Sequence, residues 1–162
     1  MTSNEKFDLA QDTVGAETSI DGRRVIALKA KGPGGTVGKT GDAIAKLMET
    51  HQGKVALVIM VDAALKLEGE ESGTVAEGVG PAIGGPGLEQ FKIEEAAAKY
   101  KVPVYAVVVK QSIKEALAPM TPAIEKAADD VSVTIKRVIG ERTKENDTVV
   151  IVGVGNTMGV AQ

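Results

Sequence analysis

Four stretches of this chain carry residue types that can do chemistry, three of them together with glycine. The first runs Lys31, Gly32, Pro33, Gly34, Gly35, Thr36, Val37, Gly38, Lys39, Thr40. A glycine-rich segment that opens a helix offers main-chain amides to an anion, and the helix dipole favours negative charge there. Its end, Gly38-Lys39-Thr40, carries the residue types of a phosphate-binding loop: an amine for phosphate oxygens and a hydroxyl for Mg²⁺. The spacing departs from that motif, because Pro33 stands where the first glycine belongs and Gly32 comes one residue too early. The amides of Gly34, Gly35 and Gly38, with Lys39 and Thr40, are therefore expected to hold an anion without forming a strict triphosphatase loop. The plainer account of Lys39 is a solvated charge at a helix start.

The second stretch begins at Asp62, which ends an apolar run where phosphate-transfer enzymes keep a Mg²⁺-coordinating carboxylate. Glu68, Glu70, Glu71 and Glu77 follow it. Oxygen ligands of this kind suit Mg²⁺ or Ca²⁺, although an acidic run is more often a solvated surface. Lys110-Gln111-Ser112 is the third. A lysine of lowered pKa can serve as base for a serine nucleophile, and Ser112 is equally a natural helix N-cap. Asp62, Lys110 and Ser112 are the catalytic candidates of a hydrolase or transferase reading. The fourth stretch, Gly153-Val154-Gly155-Asn156-Thr157-Met158-Gly159, is Gly-x-Gly-x-x-x-Gly, which is not the dinucleotide fingerprint. Gly155 and Asn156 remain candidates to hydrogen-bond a ligand.

The elements that must position these groups follow from hydrophobic periodicity. Residues 25–30 (interrupted by Lys29), 55–61, 104–109 and 149–152 are Val/Ile-rich runs without polar alternation, as strands covered on both faces require. Helical spacing covers 41–51, with His51 as a C-terminal cap, and 88–100. A short helix over 112–118 is broken by Pro119. Thr121 then offers an N-cap with Pro122 at the first helical position, opening a long helix towards Gly140. Asp21-Gly22 is a two-residue hairpin signal that adds an antiparallel strand beside the first parallel one. The expected fold is α/β, a three-layer Rossmann-like sandwich of about four parallel strands plus an N-terminal antiparallel hairpin strand. Residues 1–12 are expected as a flexible tail and 13–162 as a single α/β domain.

Five of the 19 glycines fall within 32–41, seven within 69–87 and three within 153–159. Each group follows the end of an expected strand, and in a parallel sheet those ends share the edge where open α/β sheets bind ligands. Glycine lets the backbone approach a ligand closely. The alternative is that many of these glycines serve tight turns, but the stretch 63–87 far exceeds an ordinary connection of ~2–6 residues. Within it, residues 78–87 read either as a flap over a ligand or as a contact between subunits.

Composition narrows the function classes. The 162 residues carry a net charge of -3, with no cysteine and one histidine, so disulfides, thiolate metal sites and multi-histidine zinc sites are excluded. Aromatics at 2% and an acidic balance exclude the basic footprint and stacking platforms of a nucleic-acid binder. No apolar run reaches the ~18–20 residues of a membrane span, and a cytoplasmic location is expected. Together the 32–40 glycine segment, the Asp62 strand with its Glu/Gly-rich continuation, and residues 149–159 resemble the C-terminal region of an archaeal family of conserved proteins without assigned function. Members of that family are longer, with a hydrophobic N-terminal part. The resemblance implies no catalytic residues. The sequence therefore points to a small anionic, phosphate- or nucleotide-like ligand at the glycine-rich edge, with Asp62 as a contact to Mg²⁺ or to a ligand hydroxyl. Its rivals are an enzyme and a homo-oligomeric assembly module without a ligand.

Overall fold

The computed structural model of the chain describes residues 6–31, 39–82 and 87–154. Three antiparallel strands open it: β1 (Phe7–Ala10), β2 (Thr13–Ile20) and β3 (Arg23–Ala30). Asp21 and Gly22 both take positive φ, 46° and 77°, as the tight two-residue turn between β2 and β3 requires. That turn fixes the register, pairing Ile20 with Arg23 and, at the far end, Thr13 with Ala30. β1 pairs with β2 through Phe7↔Gly15 and Asp8↔Val14. Residues 7–10 are thus part of the sheet, and the tail expected over 1–12 is corrected there. Their short, mixed sequence carries little strand signal of its own; pairing with β2 supplies what the local pattern lacks.

The chain continues through α1 (Thr40–Thr50), β4 (Leu57–Leu65), β5 (Val75–Val79), α2 (Gly87–Tyr100), β6 (Val104–Gln111), α3 (Ile113–Ala116), α4 (Pro122–Arg142) and β7 (Thr148–Gly153). All seven strands form one sheet in the order β1-β2-β3-β7-β4-β6-β5. Its centre, β3-β7-β4-β6, is parallel throughout. The four apolar runs of the sequence are these four strands.

Successive strand residues serve opposite faces. Ile26, Val58, Met60, Val150 and Val152 join Ile44, Leu47 and Met48 of α1 and Ile93 of α2 in one buried cluster. Val25, Leu57, Ile59 and Val149, the alternate positions, join Val138 and Ile139 of α4 in another. Burial on both faces explains why these strands read as hydrophobic runs, broken only by Lys29 near the end of β3. α4 runs two residues past Gly140, to Arg142.

β5 changes the reading of 63–87. This stretch is no single loop. β5 runs antiparallel to β6, from Val75↔Val109 to Val79↔Tyr105, and so carries the chain back to the opposite edge of the parallel block. There the Gly80 amide donates to the Val104 carbonyl at 2.9 Å. Gly69 and Gly73 precede β5, by the C-terminal edge, whereas Gly78 and Gly80 lie towards the other end. Among the described residues, the glycines of this stretch therefore do not share one rim.

Candidate functional site

The C-terminal edge of the parallel block is formed by the ends of β3, β7, β4 and β6. Lys29 lies opposite Gly153, and Gly153 opposite Val61, so β7 ends between β3 and β4. Val154 continues past that end, its amide donating to the Val61 carbonyl at 2.8 Å. The segments 32–38 and 155–159 therefore leave from neighbouring strands. Gly34, Gly35, Gly38, Gly155 and Asn156 themselves lie outside the described residues.

The chain re-enters the described structure at Lys39, whose side chain is exposed and whose amide donates to the Gln11 carbonyl at 3.1 Å. Thr40, the first residue of α1, is 2% exposed. The next amide, Gly41, donates to Glu89 Oε2 at 2.8 Å. Glu89 belongs to the first turn of α2, and its other oxygen accepts from Lys92 Nζ at 3.0 Å. Lys92 also reaches Asp42 at 2.7 Å, and these two carboxylates hold its ammonium above the usual lysine range. A carboxylate of the protein's own occupies part of the helix N-terminus that a phosphate would use. Gly41 is what permits this approach, because a Cβ there would stand 2.8 Å from Glu89 Oε2 and 2.9 Å from the Glu89 carbonyl. Sequence reading missed Glu89. An acidic residue 48 positions away gives no local sign that it caps α1.

Asp62 sits near the end of β4, in register with Val108, on the strand face of Val58 and Met60 that α1 and α2 cover. It is half-buried, accepts from the Ala63 amide at 2.7 Å, and has a further polar interaction. Among the described residues no three acidic or histidine side chains gather as a metal cage. Two carboxylates of the acidic stretch after Asp62, Glu70 and Glu77, are instead engaged by basic and main-chain groups. Glu70 accepts from the Leu67 amide at 2.6 Å and faces Lys110 Nζ at 3.5 Å. That amide first, and Lys110 after it, hold its carboxyl below the usual range. Glu77 makes a two-oxygen pairing with Arg137 of α4.

Lys110 and Ser112 are engaged by different carboxylates. Ser112 is the N-cap of α3 in a capping box: its hydroxyl accepts from the Glu115 amide, while Glu115 Oε2 accepts from the Ser112 amide at 2.8 Å. The same oxygen receives the hydroxyls of Ser112 at 2.8 Å and Ser72 at 2.7 Å. The Ser112 amide first, then the Ser72 and Ser112 hydroxyls, lower the Glu115 carboxyl below its ordinary range. This arrangement pins the β4–β5 connection to α3. It is the N-cap alternative for Ser112, with Lys110 directed to Glu70. His51 ends α1, its Nδ1 3.0 Å from the Leu47 carbonyl.

No helix among the described residues is long and apolar enough to cross a membrane. Neither a curated protein nor a solved structure matches the chain. One family model does, over residues 1–161, and the chain belongs to that family: the C-terminal domain of the domain of unknown function DUF1512.

Proposed function

We propose that this domain binds a small anionic, phosphate- or nucleotide-like ligand at the C-terminal edge of β3, β7 and β4. The observation that carries the reading is the pairing of Lys29 with Gly153. It makes neighbours of the two strands from which the glycine-bearing segments 32–38 and 155–159 depart. With helices contributing to a core on each sheet face, we read the fold as a three-layer Rossmann-like sandwich. Ligands of such sheets sit outside the strand C-termini. Since Glu89 holds the Gly41 amide, the cradle consists of the amides of Gly34, Gly35 and Gly38, with Lys39 supplying charge. Gly155 and Asn156 approach from the end of β7, and Asp62 from β4 contacts a ligand hydroxyl or Mg²⁺. The test is thermal stabilisation by nucleotides and sugar phosphates, with and without Mg²⁺, lost in Lys39→Ala.

A second reading, homo-oligomeric assembly, has its own observation. Leu65 at the end of β4, Leu67 after it, and Ile113, Leu117 and Met120 after β6 are 42–73% exposed. The two segments are joined by the Lys66 amide on the Gln111 carbonyl and by Ser72 on Glu115. Exposed apolar side chains gathered in this way mark association surfaces. Light scattering distinguishes this reading: an oligomer dissociated by Leu67→Glu supports it, and a monomer removes it.

A further inference from the structure

The two outer strands of the sheet are protected differently. β1, on one side, breaks register between Asp8 and Ala10, and its Asp8 is ion-paired to Lys31. Such bulges and charges blunt an outer strand against pairing with another chain. β5, on the other side, keeps unbroken register with β6 from Val75 to Val79 and contains neither proline nor lysine.

The free side of β5 follows from the bonds on its paired side. The Lys110 amide donates to the Thr74 carbonyl, and the Gly80 amide donates to the Val104 carbonyl of β6. Peptide groups alternate in direction along an antiparallel strand, so Val75, Glu77 and Val79 turn their amides and carbonyls outward. Among the described residues no main-chain group from a turn or loop meets them. Their side chains share the face of α4. Val75 joins the cluster of Val138 and Ile139, Glu77 is bound by Arg137, and Val79 is 83% exposed.

This strand is complementary to itself. When two copies are set antiparallel about a twofold axis through Glu77, Val75 of each opposes Val79 of the second copy. Every outward amide then finds an outward carbonyl, and the facing valines form cross-strand pairs that cover Val79. Like charges directly opposite are unfavourable, and Glu77 faces its own counterpart. Arg137 removes that obstacle, because its guanidinium takes both Glu77 oxygens and two neutralised pairs meet at the axis. Register and charge together select a second copy over an unrelated strand.

We infer that β5 is a subunit interface at which two copies of this chain pair Val75–Val79 antiparallel into one continuous sheet. It uses different residues from the anion site and from the apolar patch around Leu67.

The test is sedimentation equilibrium of the full chain over a concentration series, since pairing of one short strand makes a modest interface. The parent is expected to pass from monomer to dimer. Val79→Pro removes an outward amide that β6 does not use, so the dimer should be lost while the urea midpoint stays near that of the parent. Val79→Thr keeps the amide and should keep the dimer. Arg137→Ala leaves the opposed carboxylates bare and should dissociate the dimer, and adding Glu77→Gln should restore it. That pair of variants decides the matter if Val79→Pro does not fold. Leu67→Glu should leave this dimer intact, which separates it from association through the apolar patch. A parent that is monomeric at every concentration, a dimer that survives Val79→Pro, or no rescue by Glu77→Gln overturns the inference.

Discussion

The amide of Gly41 donates to the carboxylate of Glu89 at 2.8 Å, so the first turn of α1 is capped from α2. Lys92, held between Glu89 and Asp42, anchors the same corner. An internal anion thus satisfies a donor of the kind a phosphate-binding helix would present to its ligand. With the Gly41 amide engaged by Glu89, the proposed edge site relies on Lys39 more than on the start of α1.

Removing that internal anion has two expected consequences. Glu89→Ala should lower stability by about 1 kcal/mol, the usual cost of losing a cap, read from urea unfolding. It should also raise affinity for inorganic phosphate, because the Gly41 amide is released. Unchanged stability together with unchanged phosphate affinity would mean that Glu89 does not guard the helix start.

Gly69 and Gly73 provide a matched pair in the β4–β5 connection. Both take left-handed backbone, with φ of 88° and 87°. A Cβ on Gly69 meets nothing within 4 Å, whereas one on Gly73 stands 2.5 Å from the Ala123 carbonyl oxygen. Gly69→Ala should cost ~1 kcal/mol from backbone strain alone, and Gly73→Ala roughly 2–4 kcal/mol because collision adds to strain. Equal midpoints in denaturant for the two variants would contradict the packing of this connection against the start of α4.

Glu115 and Glu70 give stability a direction with pH. Each carboxyl is lowered in the folded state from an ordinary value of 4.5 by the groups that donate to it. The folded protein therefore holds these protons less tightly than the unfolded chain. Their stabilisation is complete above 4.5 and disappears as pH falls through the lowered folded values. Glu115→Gln should flatten the stability profile below pH 4.5 relative to the parent, read from thermal midpoints. A profile as steep in the variant as in the parent would count against the Ser72–Glu115–Ser112 link.

Where local physics decides, the sequence was legible. Asp21-Gly22 announced the β2–β3 hairpin because few residues accept positive φ in succession. Residues 25–30, 55–61, 104–109 and 149–152 announced the four parallel strands through Val- and Ile-rich runs, although β4 itself begins at Leu57. Thr121-Pro122 announced the start of α4, although the Thr121 hydroxyl makes no capping hydrogen bond. β1 and β5 were not legible, because Phe-Asp-Leu-Ala and Val-Ala-Glu-Gly-Val are edge strands held by pairing more than by propensity. Missing β5 made 63–87 look like one long rim loop. At the site, the strand ends and Lys39 were readable from order alone. The Glu89 cap and the Glu70 and Glu115 hydrogen bonds were not, since each depends on residues brought together by the fold.

The most direct test of the proposed edge site is a thermal-shift titration of the parent and Lys39→Ala with nucleotides, sugar phosphates and Mg²⁺. The account predicts that at least one phosphate-bearing ligand stabilises the parent by about 2.7 kcal/mol at a hundredfold excess over its Kd. In Lys39→Ala that gain should vanish. Stabilisation by none of these ligands, or equal stabilisation of both proteins, would contradict it.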